Sequence, residues 1–109
     1  MKLISCLFLI AMLNGGVSNL SLAQNYPTRP VRLVVPFPAG GTADVIGRVL
    51  AQSVGQALGQ AMVVDNRAGA DGAVAALLVM NAAPDGHTLF LASNSAMSAV
   101  PTLHSKPPY

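Results

Sequence analysis

The sequence predicts an α/β fold with a small parallel sheet, in the order strand, helix, strand, helix, strand. Short runs of β-branched and other apolar residues alternate with segments of helical periodicity, and turn residues separate them. Such connections require right-handed crossovers between parallel strands. Ligands of these sheets lie beyond the carboxyl ends of the strands, so a binding site is expected in the loops that follow them.

The first predicted strand, 31–36, leads through a glycine turn into a helix over 43–58. Thr42 or Asp44 is placed to cap the amino terminus of this helix, and Gly59 is well placed to end it. Apolar residues recur along the helix at three- and four-residue steps. They are Val45, Ile46, Val49, Leu50, Val54, Ala57 and Leu58.

The rest of the chain repeats this pattern, with a strand over 61–65, a helix over 73–82 and a third strand over 88–92. The loops at the carboxyl ends of the strands are rich in Gly, Ala, Ser, Thr or Asn and poor in bulky side chains. They are 36–42, 66–72 and 93–99. Their shared composition at one sheet edge predicts a binding site there.

Residues 1–23 are predicted to be a secretory signal peptide. Lys2 supplies the positive charge, 3–13 the apolar core, and a small-x-small site ends the segment. The apolar run is too short for a transmembrane anchor. A lipoprotein box at Cys6 is rejected because the apolar region follows that cysteine. The predicted mature chain, 24–109, then has no cysteine and forms no disulfide.

Several classes of chemistry lack their motifs. The mature chain has five basic residues against four aspartates and no basic cluster with interleaved aromatics, which argues against nucleic acid as a partner. No Gly-x-Gly-x-x-Gly, Gly-Lys-Ser/Thr or Gly-x-Ser-x-Gly occurs, so nucleotide-binding and hydrolase sites are not expected. His87 and His104 lie outside the small-residue loops without a clustered acid, so neither a metal nor a cofactor is expected.

The turn 40–42 is the first candidate site. It is either a tight strand-to-helix connection or a place where backbone N–H groups at a helix terminus hold a carboxylate or phosphate. Asp44 either caps the helix or reads an amino or hydroxyl group of a ligand. Arg67 is placed to pair with an anionic ligand or with Asp65, and the pair with Asp65 is preferred.

The run Tyr26-Pro-x-Arg-Pro-Val-Arg-Leu-Val-Val-Pro-Phe-Pro-Ala-Gly-Gly-x-x-Asp44 closely resembles the opening of the tricarboxylate-transporter substrate-binding proteins, or Bug receptors. Val64-Asp65-Asn66-Arg67-x-Gly69-Ala70 and Ala83-Pro84-Asp85-Gly86-x-Thr88-Leu89 continue the match in order. The resemblance covers the whole mature chain.

The resemblance implies a type II-like periplasmic binding protein with two α/β lobes, which captures small carboxylates such as di- and tricarboxylates or acidic amino acids. It implies a binding role rather than catalysis, with delivery by some members to a two-subunit membrane permease. Carried over by position, the implied ligand-binding residues are Pro38, Ala39, Gly40, Gly41, Thr42, Asp44, Gly69, Ala70, Ser93 and Asn94.

Some positions depart from the family pattern. The usual Gly-Ala-Gly-Gly-Asn reads Gly69-Ala70-Asp71-Gly72-Ala73. Asp71 adds a negative charge at the mouth of an anion site, and Ala73 deletes a hydrogen-bonding side chain. The usual proline before this run is Ala68.

The combined prediction is an exported periplasmic solute receptor, of which residues 24–109 are the truncated first lobe and the second lobe is absent. The alternative is a non-binding remnant, or a sensor or protein-interaction module that keeps only this lobe. In either case, an open sheet edge and uncovered apolar helix faces predict aggregation or dimerisation.

Overall fold

A parallel sheet lies at the centre of the chain. The computed structural model describes residues 25–107 and Tyr109, and the predicted signal peptide at 1–23 lies outside the described residues. The strands are β1 (Val31–Val35), β2 (Met62–Asn66) and β3 (Thr88–Phe90). Their order is β2-β1-β3 and all pairs are parallel, which confirms the predicted α/β class.

The central strand supplies the core. In β1, the side chains of Val31, Val34 and Val35 are less than 2% exposed, as expected for a strand with neighbours on both edges. Leu33 lies opposite Val64 of β2 on one side and opposite Leu89 of β3 on the other. This register brings the carboxyl ends of the three strands to one edge of the sheet.

The longer connections are helical. Helix α1 (Thr42–Leu58) packs on β1 and β2, and helix α2 (Ala73–Met80) packs on β3 and β1. The crossover from β1 to β2 and the crossover from β2 over β1 to β3 run in opposite directions across the sheet. The right-handed rule therefore places α1 and α2 on opposite faces of the sheet. The topology therefore reverses at the carboxyl end of β1, where open α/β sheets hold their ligands. Within the described residues, no helix is long and apolar enough to cross a membrane.

Helix α1 contacts the sheet through small residues. Gly47 and Ala51 are buried, and a Cβ added to Gly47 would lie 3.1 Å from Val35 Cγ2. A Cβ on Gly55 would lie 3.0 Å from the carbonyl oxygen of Gln60. The apolar repeat in the sequence therefore does not mark the packed face. Its large members, Val45, Ile46, Val49 and Leu50, are 42–60% exposed.

The sequence predicts the carboxyl-terminal end of α1 correctly and the capping residue at its amino terminus incorrectly. Gly59 follows the helix in the left-handed conformation, with φ 67°, as expected from the sequence. At the other end Gly41 is the N-cap residue and no side chain caps it. Thr42 is the first helical residue, and Asp44 lies in the first turn, so neither occupies the N-cap position.

The segment 93–99, predicted as a loop, is largely helical. Ser95–Ala99 forms a π-helical turn that continues into helix α3 (Val100–Leu103). Ser93 starts it, because its Oγ accepts the Ala96 N–H at 3.2 Å and its carbonyl accepts the Met97 N–H at 3.0 Å. The composition of small polar residues predicts a loop, and this prediction is wrong because Ser93 accepts both hydrogen bonds locally and starts a helical turn. A contact from farther along the chain is added by the Tyr109 hydroxyl, which donates to the Ala96 carbonyl at 2.5 Å.

Candidate functional site

A cavity of about 360 Å³ opens where the three strand-end loops meet. Its wall is mostly backbone and small side chains, with two serine hydroxyls, one aromatic ring and one carboxylate. The lining residues are Pro36, Phe37, Pro38, Ala68, Gly69, Ala70, Asp71, Gly72, Ser93 and Ser95. A larger depression of about 530 Å³ follows the carboxyl-terminal half of α1, but it lies away from the strand-end loops that the topology favours.

Gly72 is the point at which the three loops touch. A Cβ at this residue would lie 3.0 Å from Ala96 Cβ, 3.3 Å from Pro36 Cβ and 3.4 Å from Ser93 Oγ. Its φ of 92° is also one that residues other than glycine rarely adopt. The close approach of the loops at the cavity floor therefore requires glycine at this position.

The loop after β2 holds an unusual backbone conformation beside the cavity. Four consecutive residues have positive φ: Gly69 at 136°, Ala70 at 45°, Asp71 at 53° and Gly72 at 92°. An L-residue in the left-handed region costs about 1–2 kcal/mol. The Gly72 N–H donates to the Gly69 carbonyl at 3.0 Å, which helps to hold the turn. Strain of this kind is concentrated at binding and catalytic sites.

Asp44 holds the loop between β1 and α1 in place through hydrogen bonds. It is 4% exposed, and its Oδ2 accepts the Gly40 N–H at 2.8 Å and Arg48 Nε at 3.0 Å. The hydrogen bond from Gly40 and then the one from Arg48 hold the pKa of this carboxyl below its usual value. The Gly41 N–H donates to the Pro38 carbonyl at 3.4 Å. The N–H groups of both glycines are therefore used within the loop.

The loop after β1 is also tied to β2. The Asn66 amide donates to the Phe37 carbonyl at 3.1 Å, and the Arg67 N–H donates to the Val35 carbonyl at 2.8 Å. The Arg67 guanidinium lies 3.0 Å from Asp65 Oδ1, which confirms the preferred pairing. Arg32 binds the same carboxylate. Burial opposes ionisation of Asp65, but these arginines outweigh it and its pKa is lowered.

The structure brings only some of the predicted site residues together. Pro38, Gly69, Ala70 and Ser93 line the cavity. Asp44 is buried beneath the first loop rather than exposed at the cavity wall. The other predicted positions lie outside the lining, and they are Ala39, Gly40, Gly41, Thr42 and Asn94.

Six residues of the cavity lining are not among the predicted site residues. Phe37 and Gly72 were placed in the right loops but were not selected, because nothing local shows that a ring or a bare backbone faces a cavity. Asp71 was noted only as a departure from a family pattern. Ser95 has a signal in retrospect, since it repeats Ser93 at a two-residue interval.

The histidines lie away from this cavity. His87 precedes β3 at the opposite end of the sheet and is 6% exposed, with Nδ1 3.1 Å from the Asp85 carbonyl oxygen. Its ring meets that of Tyr26 edge-on at a centroid distance of 5.0 Å. His104 follows α3 and is exposed. Among the described residues, no three His, Cys, Asp or Glu side chains cluster at metal-binding distance.

Comparison with known proteins identifies relatives of this chain. The tripartite tricarboxylate transporter family receptor matches residues 46–109. Protein BugT of Bordetella pertussis is 45% identical over 91 residues, which are 84% of this chain and 28% of BugT. The chain therefore spans little more than a quarter of the length of that relative.

Solved structures agree with this assignment. MatC from Rhodopseudomonas palustris, solved with bound malate, superposes with a TM-score of 0.71 at 39% identity, covering 77% of this chain and 29% of MatC. A second R. palustris protein, solved with adipate, gives a TM-score of 0.62 at 41% identity over 64% of this chain and 23% of that protein. The sheet and its helices match the first lobe of periplasmic binding proteins. The chain belongs to the tripartite tricarboxylate transporter receptor family.

Proposed function

We propose that this chain forms one wall of the ligand cleft of an exported solute receptor that captures a small organic di- or tricarboxylate. The observation that carries the proposal is the cavity at the carboxyl ends of the parallel strands, where three loops of small residues converge. Relatives of 39% and 41% identity are described with malate and with adipate. Residues 24–109 then form the first lobe. The second lobe, which closes over the ligand, corresponds to the part of the relatives that this chain does not span.

The proposed mechanism is capture without catalysis. Ser93 and Ser95 present hydroxyl groups at the cavity, and the loops after β1 and β2 present backbone. Such groups hydrogen-bond a carboxylate in place of water, and closure of a second lobe would strengthen these bonds by lowering the local dielectric constant. A two-subunit membrane permease is the proposed recipient of the ligand.

Export is part of the same proposal. The segment 1–23 would direct the chain to the periplasm and be removed there, leaving Gln24 as the first residue. Mass spectrometry of the chain recovered from the periplasmic fraction of an expressing bacterium tests this. A mass that includes residues 1–23, or recovery only from the cytoplasm, would contradict it.

Ligand-dependent thermal stability of the full chain tests the binding proposal. A ligand stabilises the folded state by about 2.7 kcal/mol at one hundred times its Kd. The unfolding midpoint is therefore expected to rise with at least one acid from a panel of mono-, di- and tricarboxylates.

Two serine variants separate the site from the rest of the surface. Ser95→Ala removes a hydroxyl at the cavity wall and should reduce the ligand-induced shift. Ser53→Ala removes an exposed hydroxyl on α1 and should leave the shift unchanged. If no acid moves the midpoint, the chain is a non-binding remnant or an interaction module instead.

A further inference from the structure

Strand β2 forms an open edge of the sheet. It has β1 on one side, and in the described part of the chain no strand lies on its other side. The Val31 N–H donates to the Ala61 carbonyl at 2.9 Å, and the Arg67 N–H donates to the Val35 carbonyl at 2.8 Å. Because backbone groups alternate in direction along a strand, the odd-numbered residues of β2 face β1. The backbone groups that point to the open edge are those of Met62, Val64 and Asn66.

This edge lacks the features that usually prevent a strand from pairing with another chain. Such features include proline, lysine and β-bulges. Strand β2 has no proline or lysine, and it pairs with β1 without a bulge from Met62 to Asn66. It has five residues, whereas β3 at the other edge has three. Strand β2 is therefore the edge better suited to accept a further strand.

Two copies of β2 are complementary when they run antiparallel. With Val64 opposite Val64 of the second copy, Met62 lies opposite Asn66, so the outward backbone groups of both strands meet in pairs. Residues that face one another in this way exchange two hydrogen bonds per pair. The arrangement has a two-fold axis at Val64, and a contact of this symmetry is complete with two copies.

The charges of β2 favour this register over its neighbours. It places Asp65 opposite Val63 of the second copy, and Val63 is 54% exposed. A shift by two residues in one direction would place Asp65 opposite Asp65, and like charges directly opposite one another are destabilising. A shift in the other direction would leave Asn66 without a partner in the strand. Asp65 is already paired with two arginines of its own chain.

Helix α1 would extend the contact beyond the two strands. It packs on β1 and β2, so the two copies of α1 would lie on one face about two strand spacings, or ~10 Å, apart. Packed helices have interaxial distances of about 8–10 Å. The side of α1 next to the edge includes Gln52 and Gln56, which are exposed and line a depression with Met62. The charged residues of α1, Asp44 and Arg48, are paired with each other.

We propose that β2 pairs with β2 of a second copy of this chain, antiparallel about Val64, to form a dimer with one continuous sheet. The interface is separate from the candidate ligand site, because none of the residues that line the strand-end cavity belongs to β2. The two cavities lie at opposite ends of the shared sheet, since the strands of the two copies run in opposite directions. The dimer therefore forms whether or not the cavity binds a carboxylate.

Sedimentation velocity of the full chain over a range of concentrations tests the dimer. The mass of the wild-type species is expected to rise from one chain to two and to stop there. Val64→Pro removes the outward N–H at the centre of the interface, and proline is tolerated on an edge strand where the N–H faces solvent. This variant should remain a single chain with an unchanged circular dichroism spectrum.

Amide hydrogen exchange locates the interface. In the wild type, exchange of the Val64 N–H should slow as the concentration rises and the dimer forms, because this N–H faces the second copy. Exchange of the Val63 N–H should be slow at every concentration, because it faces β1 within the same chain.

Two variants of α1 test the helix contact without altering β2. Gln52→Glu introduces a carboxylate into the contact from each copy and should raise the dimer dissociation constant about tenfold, because like charges repel. Ser53→Glu introduces the same charge at an exposed position one residue along the helix, about 100° around its axis, and should leave the dissociation constant unchanged.

Several results would overturn the inference. They are a single chain at every concentration, growth beyond two copies, and a dimer that persists in a folded Val64→Pro variant. If Val64→Pro does not fold, the two α1 variants decide, and equal dissociation constants for them would overturn the inference. None of these results bears on the carboxylate panel, so the proposed function is tested separately.

Discussion

Substitution of Gly72 by alanine should destabilise the chain more than any other glycine-to-alanine change at a loop. The new Cβ would lie 3.0 Å from Ala96 Cβ and 3.3 Å from Pro36 Cβ, so the loops after β1 and β3 would have to move apart. The φ of 92° adds backbone strain. Both effects act at the floor of the cavity.

The magnitude follows from the two contributions. A left-handed conformation costs an L-residue about 1–2 kcal/mol, and inserting a methyl group into a packed contact costs about 1–3 kcal/mol. The restricted unfolded chain returns about 0.4–1 kcal/mol. Gly72→Ala should therefore lower the free energy of unfolding by about 1–4.6 kcal/mol.

Gly40→Ala provides the matched control. Gly40 has a φ of 84°, and a Cβ there would have no atom within 4 Å. This variant has the strain without the steric contact, so it should cost only about 1 kcal/mol. The difference between the two variants isolates the packing of the three loops.

Urea unfolding followed by far-ultraviolet circular dichroism measures both variants in the full chain. If the free energies of unfolding of Gly72→Ala and Gly40→Ala differ by less than about 0.5 kcal/mol, the convergence of the loops at this point is refuted. A difference of that size is usual for a surface change with no structural effect. A loss of the ligand-induced stabilisation in Gly72→Ala but not in Gly40→Ala would further link the contact to the cavity.

The same unfolding assay checks three more predictions. Val34→Ala should cost about 2 kcal/mol, because Val34 is 0% exposed and two buried carbons are lost. Tyr26→Phe should cost about 0.5–1.5 kcal/mol, since the Tyr26 hydroxyl donates a 2.6 Å hydrogen bond to a turn carbonyl. The His87 N–H and then Arg29 lower the pKa of Asp85 from 3.8 to about 2. Asp85 therefore stabilises the fold above about pH 4 and loses this effect as the pH falls towards 2, so wild type and Asp85→Asn should converge over that interval.

Much of the fold followed from local pattern. The β-branched strand 31–35, the glycine that ends α1 and the strand–helix alternation all reflect preferences of neighbouring residues. Parallel order then followed from helical crossovers, and the location of the cavity followed from parallel order. The pairing of Arg67 with Asp65 was also local, because the two residues lie on either side of one position at the end of β2.

The parts that the sequence did not predict depend on residues far apart in the chain. The packed face of α1 was one, because it is determined by how closely Gly47 approaches Val35 rather than by the largest apolar side chains. The helical form of 95–99 was another, since it involves a contact from Tyr109.

Periodicity, turn residues and ordered motifs were enough to predict the class of fold, the family and the loops at which a ligand is expected. Which residues of those loops face a common cavity depends instead on contacts between segments that are distant in the chain. Gly72 became a contact point because three loops cross there. This outcome follows from distances between separate segments, which no local pattern encodes.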